Sequence, residues 1–84
     1  MFKVFLARKA EKSLDEISEP WQGRIVIVLR KLATNPHLGK KLGGKYSECY
    51  SIRIWPYRII YTVKKKELII EVIEIEHRGG AYKK

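Results

Sequence analysis

The chain opens on Phe2-Lys-Val-Phe-Leu6, where apolar and polar positions take turns, which predicts a short first strand. From Arg8 the period changes. Leu6, Ala10, Leu14 and Ile17 recur at spacings of four and three, while Glu11, Lys12, Asp15 and Glu16 fill the other face. That pattern predicts an amphipathic helix of about three turns. Ser18-Glu-Pro20 interrupts it and starts a second helix, with Pro near the first helical position and a Ser or Glu placed to cap it. Trp21, Ile25, Val28, Leu29 and Leu32 form a broad apolar stripe along this helix, and Asn35-Pro36 ends it. Two helices joined by a few residues predict an antiparallel hairpin.

After Tyr46 the period becomes two. Tyr50, Ile52 and Ile54 alternate with Ser51, Arg53 and Trp55, and Tyr57, Ile59, Tyr61 and Val63 alternate with Arg58, Ile60 and Thr62. Lys64 to Glu67 is a polar turn. Leu68, Ile70 and Val72 then lead into Ile73 and Ile75, a change of parity that predicts a bulge near Val72-Ile73. The order is an N-terminal strand, two helices and three antiparallel strands. This is an α+β fold, with the helical hairpin packed on one face of the sheet. Its 84 residues make one domain, 1–84, with a single small core. Between helix and sheet, His37 to Lys45 interleaves Gly39, Gly43 and Gly44 with Lys40, Lys41 and Lys45. No Gly-Lys-Ser/Thr opens a helix there, so the segment is not a Walker A loop. It reads as a mobile basic loop able to meet phosphate.

The alternation also sets a register around Trp55-Pro56. Arg53 faces Arg58 on the side away from the helices, while Ile52 faces Ile59 and Tyr50 faces Tyr61 on the core side. Pro56 cannot take a positive φ, which excludes a type I′ turn. A type VI turn with cis Trp55-Pro56, or a wider four-residue loop, keeps the same pairing. Like charges directly opposite each other cost roughly 0.2–1 kcal/mol. Either an anion sits between the two guanidiniums or both splay into solvent.

Charge sharpens this picture. The chain has 18 Lys and Arg against nine Asp and Glu, a net +9. Residues 36–66 hold eight of the bases and a single acid, Glu48. A local basic block is a footprint for a polyanion. A hydrophobic share of 45% is too high for a disordered tail. No apolar run approaches the ~18 residues of a membrane span, and the first residues lack the apolar stretch of a signal peptide. Cys49 is the one cysteine, which excludes an internal disulfide framework and a cysteine-built zinc site. With two histidines and no acidic cluster, no metal and no small-molecule cofactor is expected. A cytoplasmic protein is the expectation.

The last residues bring His77, Arg78, Tyr82, Lys83 and Lys84 together after the final strand. Histidine can titrate near neutrality, arginine binds phosphate bidentately, and tyrosine can stack on a base. A strand-capping His77 and a Tyr82 packed back on the sheet are the plainer readings of the same residues.

Cys49-Tyr-Ser-Ile-Arg-Ile54, Tyr57-Arg-Ile-Ile-Tyr61, Ile75-Glu-His-Arg78 and Tyr82 together resemble the RelE/ParE superfamily of toxins from type II toxin–antitoxin systems. The likeness spans essentially the whole chain and looks closest to the RelE-like mRNA interferases. It implies a metal-independent endoribonuclease that cuts translated mRNA in the ribosomal A site and so inhibits translation. It also implies a cognate antitoxin with an acidic or amphipathic segment. Arg58 and Arg78 match family arginines that grip the scissile phosphate, and Arg53 falls where a basic residue serves proton transfer or charge stabilisation. Tyr82 matches a tyrosine that stacks on the substrate base. His77 is the first candidate for proton transfer and Glu48 the next, because arginine stays protonated. Lys40, Lys41, Lys45, Lys83 and Lys84 are expected to meet RNA or the ribosome. Ser51 departs from members that carry a further lysine, Trp55-Pro56 replaces a more flexible turn, and the tail is two residues shorter than in some members. The alternatives are a ParE-like toxin that inhibits DNA gyrase without catalysis, or an inactive relic. Lengthened helices and loss of the arginines would mark the gyrase class, and the chain shows neither.

Overall fold

A computed structural model of the chain describes residues 1–44 and 48–77. The elements are β1 (Lys3–Leu6), α1 (Arg8–Glu16), α2 (Trp21–Thr34), β2 (Lys40–Lys41), β3 (Tyr50–Ile54), β4 (Tyr57–Lys64) and β5 (Ile69–His77). They build one five-stranded sheet in the order β1-β5-β4-β3-β2. The three C-terminal strands are antiparallel, as the alternation predicts, and β1 runs parallel to β5 at one edge.

Both helices form where their apolar stripes predict. Ala10 of α1, Ile17 just after it, and Ile25, Leu29 and Leu32 of α2 are buried in one cluster with Ile59, Tyr61, Ile70, Val72 and Ile75. Each such aliphatic side chain contributes on the order of 1.5–3 kcal/mol when fully buried. The amide of Gly23 donates to Glu19 Oε1 at 3.0 Å, which satisfies one of the N–H groups left without an intrahelical partner at the start of α2. Gln22 Nε2 donates to the Leu14 carbonyl at 2.9 Å and ties the two helices together.

The parity change in β5 is a bulge. Ile60 pairs with Glu74 and the next residue, Tyr61, pairs with Val72, so Ile73 is extra. That lets Val72 and Ile75, three apart, both face the core. Ile60 lies on the opposite face, outside the core cluster, and is still only 3% exposed.

Part of the segment after α2, read as a basic loop from its glycines and lysines, is a short strand. Lys40 and Lys41 form β2, opposite Ser51 and Tyr50. The fully buried Tyr61 holds this strand in place: its hydroxyl accepts from the Gly39 amide and donates to the Pro36 carbonyl, both at 2.9 Å. Glycine is required at position 39, because a Cβ there would sit 2.7 Å from the Ser51 carbonyl oxygen and from the Tyr61 hydroxyl. Tyr50 stacks on Tyr61 with ring centroids 5.5 Å apart, and His37 meets Tyr50 edge-on. Among the described residues, no helix is long and apolar enough to cross a membrane.

Candidate functional site

The hairpin register is the predicted one. Arg53 pairs with Arg58, Ile52 with Ile59 and Tyr50 with Tyr61, and the Trp55–Pro56 peptide is cis. Ile52, Ile54, Tyr57 and Ile59 belong to the core side, so alternation along the strands carries Arg53 and Arg58 to the sheet face turned away from the helices. Both are exposed.

One strand further on, Arg58 pairs with Glu76 of β5. Arg58 Nη2 and Nε donate to Glu76 Oε1 at 3.0 and 3.2 Å. The carboxylate is the more enclosed partner, its side chain 19% exposed against 46% for Arg58. A row of arginine, arginine and glutamate thus crosses β3, β4 and β5. Sequence reasoning missed Glu76. The signal was present: Ile75 faces the core, so its neighbour must face the arginines, and counting through the bulge brings it opposite Arg58.

Charge is spread asymmetrically across the sheet. Each glutamate of β5 is paired with a base, Glu71 with Lys64 at 3.8 Å, Glu74 with Lys9 at 3.3 Å and Glu76 with Arg58. Toward β2 the bases have no such partners: among the described residues Arg53 forms no ion pair, and Lys40, opposite Ser51, extends the basic side. Two opposed guanidiniums and one flanking lysine are the donor types suited to a phosphate.

His77 is not beside the arginines. Expected after the last strand, it is part of that strand: β5 runs through His77, which pairs with Tyr57. Its ring stands edge-on to Tyr57, centroids 5.0 Å apart, on the helix side of the sheet. Nδ1 is buried with no hydrogen-bond partner. His77 and Tyr57, with Glu74 and Glu76 at its margin, line a cleft of about 460 Å³ against Lys9, Ser13 and Glu16 of α1. Glu48 is exposed and precedes Tyr50, at the end of β3 away from the hairpin. Lys41 is exposed opposite Tyr50. Arg78, Tyr82, Lys45, Lys83 and Lys84 lie outside the described residues. No group of three or more His, Cys, Asp or Glu side chains able to hold a metal ion occurs among the described residues.

The small sheet thus carries a helical hairpin on one face and two opposed arginines on the other. Residues 4–82 match the model of the ParE toxin of type II toxin–antitoxin systems, and the chain belongs to that family. It is 29% identical to the toxin RelE of Mycobacterium tuberculosis, over 98% of this chain and 87% of that protein. Its fold is that of solved RelE toxins. It superposes on the RelBE2 toxin–antitoxin complex of M. tuberculosis with a TM-score of 0.84, at 20% identity over 92% of this chain and 98% of that one. For the isolated Escherichia coli RelE toxin the TM-score is 0.82, at 17% identity over 98% and 89% of the two chains. For the RelE–RelB complex of the archaeon Pyrococcus horikoshii it is 0.80, at 24% identity over 93% and 96%. The protein is thus a toxin of a type II toxin–antitoxin module, built on the fold that the solved RelE toxins share.

Proposed function

We propose that this toxin is a metal-independent endoribonuclease that cleaves translated mRNA on the ribosome and so inhibits translation. The observation that carries the reading is the cross-strand pair Arg53 and Arg58, two exposed guanidiniums facing each other on the open side of the sheet. Metal-free RNA cleavage begins when the 2′-oxygen attacks the adjacent phosphorus. The O2′–P bond forms, the P–O5′ bond breaks, and the products are a 2′,3′-cyclic phosphate and a 5′-hydroxyl. Negative charge builds on the phosphorane oxygens in between. Preorganised donors aimed at that charge are usually the largest catalytic effect, and removing one typically costs ~10²–10³ in rate. Arg53 and Arg58 supply such donors. Arg78 adds a third on the family resemblance, and Tyr82 stacks on the substrate base, a contact worth about 1–3 kcal/mol. Lys40, Lys41, Lys45, Lys83 and Lys84 add long-range attraction to RNA or ribosome.

A cognate antitoxin completes the reading. The solved relatives from M. tuberculosis and P. horikoshii are toxin–antitoxin complexes, and a chain of net charge +9 attracts an acidic or amphipathic segment that covers the arginine face. Such a pair acts in the cytoplasm, where translating ribosomes are.

The test is induction in cells, with primer extension mapping cuts on an mRNA that is either translated or blocked at initiation. Cuts are expected only in the translated message, and they disappear with Arg58→Ala or Arg78→Ala. Growth arrest without any cut, accompanied by loss of gyrase supercoiling, would replace this reading with the gyrase-inhibiting one.

A further inference from the structure

The arginines stabilise charge but leave the 2′-hydroxyl proton without an acceptor, since a guanidinium stays protonated in proteins. The two acceptors suggested by residue type are badly placed. His77 faces Tyr57 on the helix side of the sheet. Tyr50 already stands about 10 Å along β3 from Arg53 at ~3.3 Å per residue, and Glu48 lies beyond it. The acceptor on the correct face is Glu76.

We propose that Glu76 is the general base that takes the 2′-hydroxyl proton, an inference that rests on the nuclease reading above. Three features carry it. Glu76 Oε1 sits 3.0 Å from Arg58 Nη2 and 3.2 Å from Nε, so the carboxylate stands directly beside one of the two opposed arginines. Those two donors form one edge of the guanidinium. The other edge, Nη1 and the second N–H of Nη2, is left for a phosphate oxygen. And the attacking oxygen belongs to the same nucleotide as the scissile phosphate, so a phosphate seated on Arg58 brings its own 2′-hydroxyl toward the neighbouring carboxylate. An ionised carboxylate on an anion-binding face repels a phosphate, and a fold alone gains little from that placement, because half-exposed ion pairs are worth about 0–1 kcal/mol. A base for the reaction accounts for it.

The step balances without a co-reactant. Glu76 accepts the proton as the O2′–P bond forms. The P–O5′ bond breaks with its electron pair going to O5′, and O5′ takes up one proton from solvent water. Glu76 returns its proton to solvent, so the net change moves one proton from O2′ to O5′.

The diagnostic variant is Glu76→Gln. Its amide oxygen still accepts from Arg58 and keeps that side chain in place, but the amide takes no proton at neutral pH. Purified protein is mixed with ribosomes programmed with an mRNA that carries a defined A-site codon, and single-turnover cleavage is followed. Binding is measured separately to the same complex with a 2′-deoxy codon. Glu76→Gln is expected to slow cleavage by ~10²–10⁴, the usual range for a general base, with binding to the 2′-deoxy complex unchanged or tighter. Glu74→Gln removes a carboxylate one row away on the same strand and is expected to cleave at the parent rate. Parent-like cleavage by Glu76→Gln overturns the proposal. So does a loss of cleavage matched by an equal loss of binding, which makes Glu76 a structural partner of Arg58. A parent protein that binds programmed ribosomes and cuts nothing sinks the nuclease reading itself.

Discussion

Replacing Tyr61 by Phe removes one oxygen and tests how the basic segment is held against the sheet. The hydroxyl makes two hydrogen bonds of 2.9 Å, one from the Gly39 amide and one to the Pro36 carbonyl, and Tyr61 is fully buried. A typical intramolecular hydrogen bond contributes about 0.5–1.5 kcal/mol net, so losing both costs about 1–3 kcal/mol. In a domain of this size each kcal/mol lowers Tm by roughly 4–8 °C. The variant should still fold, because small domains hold about 5–15 kcal/mol in total. Thermal and urea denaturation followed by circular dichroism measure the loss, and hydrogen exchange at the Gly39 amide shows where it falls. A second signature lies in pH. Burial raises the Tyr61 phenol above its ordinary 10.0, with a smaller push from Tyr50, while the Gly39 hydrogen bond pulls it down. Between 10.0 and the higher folded value the unfolded chain binds fewer protons than the folded one. Stability from this hydroxyl is therefore complete below pH 10 and lost as pH rises through the folded value. The gap in stability between parent and Tyr61→Phe should narrow across that window. An unchanged Tm together with unchanged exchange at Gly39 would refute the clamp.

Other perturbations separate packing from chemistry. Gly39→Ala drives a Cβ to 2.7 Å from the Ser51 carbonyl oxygen and is expected to cost about 1–3 kcal/mol, read as a lower urea midpoint. Arg58→Ala removes a half-exposed ion pair and should cost no more than about 1 kcal/mol of stability, while cleavage falls by ~10²–10³. Burial raises the Cys49 thiol above its ordinary 9.0, and the Glu48 charge adds to the shift. Iodoacetamide should therefore alkylate the native protein at pH 8 more slowly than the urea-unfolded chain, since the thiolate is the nucleophile.

What could be read in the sequence was what repeats. Alternation over Tyr50–Ile54 and Tyr57–Lys64 fixes which residues share a face, and a one-residue slip would turn half the isoleucines outward, so the Arg53–Arg58 pair followed from pattern alone. The bulge was legible because Val72 and Ile75 break parity. Less visible were features that depend on contacts between distant residues. A strand of two lysines, Lys40–Lys41, has no period, and it forms because Tyr61, some 22 residues from Gly39, reaches across to bind the segment before it. Ile60 occupies a position that alternates with the core and is buried on the other face. His77 left its expected place and Glu76 went unnoticed for one physical reason: β5 continues through His77, so strand alternation governs both side chains, and the histidine turns inward while the glutamate meets Arg58.

In the proposed reaction the RNA is cut by attack of its own 2′-hydroxyl beside the opposed Arg53 and Arg58, without a metal. The most direct test is the chemistry of the cut ends. Purified parent protein is added to ribosomes programmed with a defined mRNA, and the fragments are analysed by mass spectrometry and by kinase labelling. The expected ends are a 2′,3′-cyclic phosphate on the upstream fragment and a 5′-hydroxyl on the downstream one, with neither formed by Arg53→Ala/Arg58→Ala. A 5′-phosphate with a 3′-hydroxyl, the signature of water attack, would contradict that reaction, as would cuts that persist at the parent rate in the double variant.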